Sequence, residues 1–240
     1  MNHLLFTMPL IGLATLAAAE GPFTDHGVGA KVAECRGVVT TRTADGRNLV
    51  IANSLDLGPT GWLLVTDIDS GQSAQHFYPS EVPQSAPYGS LMSGNGRFYT
   101  AQGPVLTEFD PATAQFTYTG RPALTSCYLS FTQDLDGTIW AGGCGAIHLV
   151  SFNPTTRETK DHGVMDPGEQ YLSYLATDDK GWVYCGIGTA RQNIVAYDPK
   201  TGEKRQLVDE AQRALGTATV YPTADGKACG IFGGKTLRLY

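Results

Sequence analysis

Histidine is the side chain whose ordinary pKa best suits proton transfer near neutral pH, and beyond the first twenty residues the chain has four, His26, His76, His148 and His162. His26 and His162 share an Asp-His-Gly pattern and read as structural positions of a repeat. His148 instead ends the glycine-rich stretch that begins at Gly142, and it is the candidate general base. A base of this kind needs a partner that tunes its pKa and a cation or metal for the charge that develops. Asp56, in the long loop from Asn53 to Trp62, is the candidate catalytic carboxylate or metal oxygen; the cofactor is left unknown, with calcium and magnesium as candidate ions. Arg191, in the Gly188 to Asn193 loop, is the candidate ligand-binding cation, because a guanidinium forks onto a carboxylate or sulfate. Trp62, Tyr88, Tyr128 and Tyr171 are candidate aromatic faces for a saccharide ring, with core packing as the plain alternative for each. No GxSxG, Walker or HExxH motif accompanies them.

These residues fall in register with a repeat. Glycine turns follow short apolar runs at Gly46, Gly96, Gly137, Gly181 and Gly226. A second turn, of the type Asp/Asn-Pro-x-Thr-x, ends at residues 71, 114, 157 and 202. Both markers recur every ~44 residues, and a period of that length with four short strands per unit is the mark of a β-propeller blade. Tyr128 to Phe131 matches Tyr171 to Tyr174 as an entering strand, and Thr138 to Ala141 matches Trp182 to Cys185 after the hairpin. His148 to Phe152 matches Ile194 to Tyr197, and a more polar fourth strand follows each. The expected fold is therefore all-β, a propeller of four-stranded blades with about five blades in this chain.

Composition agrees. Glycine is 29 of 240 residues, charged residues are 17% and apolar residues 42%, which suits a turn-rich β protein with a real core and excludes disorder. A net charge of −6 argues against a nucleic-acid partner. Residues 1–19 read as a signal peptide, with an apolar run from Leu4 and Ala17-Ala18-Ala19 before Glu20. That run is shorter than the ~20 residues of a spanning helix, so no membrane span is expected after cleavage. The propeller domain is then 20–240, in the periplasm or outside the cell. The last unit has three strands, and Thr24-Asp25-His26-Gly27-Val28 echoes the fourth-strand sequence Asp161-His162-Gly163-Val164. Two readings follow: a five-bladed ring closed by the N-terminal segment, or part of a larger propeller.

The runs Asp136-Gly137-Thr138-Ile139-Trp140 and Phe152-Asn153-Pro154-Thr155-Thr156, with their parallels from Trp182 to Gly202, resemble secreted bacterial propeller repeats of the virginiamycin B lyase-like and YVTN/NHL/PQQ type. The resemblance covers residues 36 to 240 and implies the fold. The lyase it resembles is a metal-assisted eliminase with a histidine base, and that histidine has no assignable counterpart here.

Five cysteines are present. Cys127 and Cys144 flank one hairpin almost symmetrically and are the expected disulfide in an exported chain, while Cys185 and Cys229 read as buried thiols. Two functions lead, ahead of a third reading as a structural module of the cell envelope. One is a binding module that takes a saccharide-like small molecule or another envelope protein through one face. The other is a metal-assisted lyase or hydrolase acting on a saccharide or lactone.

Overall fold

The computed structural model describes residues 34–55 and 61–239, with side chains from Arg36 onward. The expected signal segment, the Thr24 to Val28 echo and Asp56 lie outside the described residues. The strands form five antiparallel sheets, each in chain order. The first holds β1 (Glu34–Arg42), β2 (Asn48–Leu55), β3 (Gly61–Asp67) and β4 (Ser73–Phe77). The second holds β5 (Ser90–Met92), β6 (Phe98–Gln102), β7 (Val105–Asp110) and β8 (Gln115–Gly120). The third holds β9 (Cys127–Gln133), β10 (Ile139–Cys144), β11 (His148–Phe152) and β12 (Thr159–Val164). The fourth holds β13 (Leu172–Thr177), β14 (Val183–Ile187), β15 (Asn193–Tyr197) and β16 (Lys204–Gln206). The fifth has three strands, β17 (Thr219–Pro222), β18 (Ala228–Phe232) and β19 (Lys235–Leu239).

Burial peaks on the second and third strands of each full sheet and falls on the fourth. The second strands β6, β10 and β14 are buried along their whole length, as expected for strands covered on both faces. β16 is exposed throughout, and β4 nearly so. The core lies between consecutive sheets. Ile51 and Leu63 of the first sheet pack with Phe98 and Phe109 of the second. Tyr99 and Leu106 meet Ile139 and Phe152. Trp140 and Leu149 meet Leu172, Val183 and Cys185, and Tyr184 and Ile194 meet Val220 and Ala228. Each large apolar side chain so buried stabilises the fold by roughly 1.5–3 kcal/mol.

The turns explain why the period is so regular. Asp134 opens the β9–β10 turn and accepts the N–H groups of Asp136 and Thr138 at 3.0 and 2.9 Å, while its other oxygen takes Trp140 Nε1 at 2.8 Å. Asp178 repeats the arrangement with Lys180, Trp182 and the Tyr184 hydroxyl at 3.0, 2.9 and 2.9 Å. One carboxylate thus fixes both the turn and the polar tip of an aromatic that fills the seam. The second turn also has a fixed shape: its closing residue is left-handed at Gly71, Ala114, Arg157 and Gly202.

Candidate binding face

Chain order and antiparallel pairing place two sets of loops at one end of the sheets: those joining second to third strands, and those joining one sheet to the next. The third sheet makes the most constrained part of this face. Cys127 and Cys144 are joined in a disulfide, with Cα atoms 5.3 Å apart, across paired strands β9 and β10. The Thr125 hydroxyl lies within reach of three carbonyl oxygens, those of Cys144, Ala146 and Cys127, at 2.7, 3.1 and 3.2 Å. Gly145 N–H donates to the Gln170 carbonyl at 2.8 Å, tying this loop to the connection into the fourth sheet.

Beside this floor, His148 holds its Nδ1 2.8 Å from both carboxylate oxygens of Asp161. Asp161 also lines a pocket of about 560 Å³, together with Pro104, Arg121, Thr125, Ser126 and Ala146. Leu124 stands 89% exposed at its rim. Chemically, the pocket offers the Arg121 guanidinium, the carboxylate that holds His148, and a rigid wall. Among the described residues no group of three or more His, Cys, Asp or Glu side chains is placed to hold a metal ion.

The other expected site residues do not gather here. Trp62 and Tyr128 are core side chains, 2% and 1% exposed, and present no face to a ligand. Trp62 packs edge-on to Phe77, and Tyr128 lies in the seam with Ala101, Ala141 and Val150. Burial raises the Tyr128 phenol well above its usual range. Tyr88 is partly exposed, with the Arg36 guanidinium 5.1 Å above its ring. Tyr171 is 41% exposed, and Tyr174, which shares its stretch of chain, is 42% exposed.

Arg191 is not a free cation: it pairs with the Glu210 carboxylate and donates to the Glu210 carbonyl at 3.0 Å. The Arg191 loop already holds an acid of its own. Buried Glu169 accepts the backbone N–H groups of Thr189, Ala190 and Arg191 at 2.8, 3.2 and 2.7 Å. Arg213 then bridges to Asp166 at 2.7 Å, which also takes Asn193 Nδ2 at 2.8 Å. These groups fasten the long β16–β17 connection to the fourth sheet. Asp161 and Glu169 escape a reading by spacing because their partners lie across strands or in other loops, and Arg121 because only the fold brings it beside Asp161.

At the opposite end, a cleft of about 1020 Å³ runs between the third and fourth sheets. His162 sits in its wall, with Nε2 2.8 Å from Ser151 Oγ and Nδ1 2.8 Å from the Tyr197 hydroxyl, its ring packed on Trp140 at 4.9 Å. Burial first, then the charge of Lys160, pulls its pKa down to about 4. A neutral ring satisfied at both nitrogens matches the structural role expected of this repeat position.

No family model and no curated protein sequence matches the chain. Solved structures do match in shape. A selenomethionine-substituted virginiamycin B lyase from Staphylococcus aureus superposes with a TM-score of 0.61 at 12% identity, over 84% of this chain and 66% of that one. The catalytically inactive form of that lyase with quinupristin gives 0.55 at 11% identity, over 85% and 84%. The extracellular domain of a B. thetaiotaomicron protein described as a one-component system gives 0.52 at 14%, over 81% of this chain and 30% of that one. This chain therefore spans about two thirds of the length of the first and under a third of the last. At such identities the likeness is one of fold. The seams between successive sheets, the two repeated turns and these superpositions make the chain a propeller-like protein.

Proposed function

We propose that this chain is an exported binding module, a propeller whose five sheets are its blades, working in the periplasm or outside the cell. Its ligand, a saccharide-like small molecule or another envelope protein, is taken on the face that carries the disulfide. The observation that supports this reading most directly is the exposure of Tyr171 and Tyr174 beside a braced loop, when most other large aromatics are buried. An aromatic ring left wet on a rigid support offers contact area to a ligand at little entropic cost. No described helix is long and apolar enough to cross a membrane. The test is a binding screen of neutral and acidic oligosaccharides against the full chain and Tyr171→Ala. At least a tenfold loss of affinity in the variant supports the reading, and unchanged affinity for every bound sugar overturns it.

The second reading is a lyase or hydrolase acting on a saccharide or lactone, and the His148–Asp161 pair favours it. A carboxylate on Nδ1 fixes the ring and leaves Nε2 as the working nitrogen. The described residues do not fit a metal, so no step is routed through one. Turnover of a lactone panel that survives His148→Ala would remove this reading.

A further inference from the structure

We infer that the Arg121 pocket is a carboxylate subsite, made for a small sugar acid or hydroxy acid. This rests on the disulfide-bearing face being the binding face. Seven of the ten described arginines are paired with a carboxylate, among them Arg97 with Asp110, Arg157 with Glu108, Arg205 with Glu203 and Arg213 with Asp166. Arg121 lines the pocket and makes no ion pair among the described residues. The one acid beside it, Asp161, is turned to other work, holding His148 through both oxygens and taking Gly163 N–H at 2.8 Å.

The walls are stiff. Pro122 restricts the backbone of Arg121 itself, Pro104 faces it, and the Thr125 hydroxyl is anchored to the carbonyls around the disulfide. A guanidinium presented on a rigid support recognises a planar carboxylate through two parallel N–H bonds. Among the described residues Asp161 Oδ2 accepts from His148 alone, which leaves a lone pair for a hydroxyl, and Ser126 adds a second polar group. A carboxylate with a neighbouring hydroxyl therefore finds a partner for each group among the lining residues. The chain's net charge of −6 opposes the approach of a polyanion, which selects a small monoanion over a highly charged polymer.

The test is a titration of the full chain with galacturonic acid, galactose and lactate, followed by amide and arginine side-chain NMR. Arg121→Gln, Arg121→Lys and Tyr171→Ala are titrated alongside. The expected result is galacturonate binding at least tenfold tighter than galactose. That preference should vanish in Arg121→Gln and return in part in Arg121→Lys, which restores charge without the fork. Equal affinity for acid and neutral sugar, or a preference that survives Arg121→Gln, overturns the carboxylate subsite while leaving the binding face standing. Lactate perturbing Arg121 when neither sugar binds supports the subsite and counts against the saccharide reading. No response to any of the three overturns the subsite.

Discussion

His148 and Asp161 are brought together by a bulge. On β11 and β12, Val150 faces Asp161 but His148 faces Val164, so two steps on one strand meet three on the other. Gly163 absorbs the extra residue with φ +78, and its N–H is held by Asp161 Oδ1. The same carboxylate therefore orients the imidazole and stabilises the distortion that places it there.

Asp161→Asn separates these roles. An amide keeps one acceptor for Gly163 but removes the negative charge from His148. Because the pair is partly exposed, the melting free energy should fall by no more than about 1 kcal/mol. The His148 ring signals should nevertheless shift in imidazole NMR spectra, and any lactone turnover should drop by at least tenfold. Gly163→Ala should do more damage, since a side chain at this φ is strained whatever space surrounds it.

His162 makes stability depend on pH. Its folded pKa lies near 4, below the ordinary value of 6.5, so the folded protein binds fewer protons than the unfolded chain between those values. The stabilising effect of the neutral ring is complete above about pH 6.5 and is lost as pH falls toward 4, by on the order of 2 kcal/mol once solvent screening of the part-exposed ring is taken into account. Urea melts at pH 7, 5.5 and 4 should show that decline, and His162→Gln should flatten it. An unchanged slope in the variant would show that other groups cause the acid sensitivity.

Ala114→Gly should stabilise the protein. Ala114 occupies the left-handed position of the Asp-Pro-x-Thr-x turn, at φ +58, where the first and fourth sheets place Gly71 and Gly202. It is exposed, so no packing is lost. Relief of left-handed strain, worth roughly 1–2 kcal/mol, exceeds the added freedom of glycine in the unfolded chain, leaving a gain of about 0.5–1 kcal/mol. A thermal melt reads this directly, and a loss of stability would show the turn is not under strain.

The sequence was most informative where a residue's role repeats. The turn glycines and the matched runs Thr138 to Ala141 and Trp182 to Cys185 recur in register because each turn sets the next strand, and such local rules survive in a one-dimensional reading. The face was much less legible. Trp62 and Tyr128 looked like ligand contacts by loop position, yet the seams needed their bulk. Arg191 looked like a free cation, but Glu210 lies close to it only after the β16–β17 connection folds back. Asp161 carried an Asp-His-Gly signature that pointed to structure, and its contact with His148 depends on a bulge that no spacing announces.

The seams themselves offer the sharpest test of how the sheets pack. A Cβ added to Gly142 would lie 2.4 Å from Leu172 Cδ2 and 2.8 Å from the Leu172 carbonyl oxygen, on the first strand of the next sheet. At Gly186 it would lie 2.5 Å from the Ala218 carbonyl oxygen, again on the neighbouring sheet's entry. Neither obstacle is only the tip of a flexible side chain, so the sheets must move apart along the seam and loosen the aromatic packing beyond it. Gly142→Ala and Gly186→Ala should each destabilise by roughly 1–3 kcal/mol in urea melts. Gly94→Ala is the control, because its nearest neighbour would be a Gln133 side-chain oxygen at 3.5 Å and its φ is not left-handed; its effect should stay near 0.5 kcal/mol. If all three behave alike, the close approach of backbones is not what sets the spacing between sheets, and the buried aromatics must set it instead.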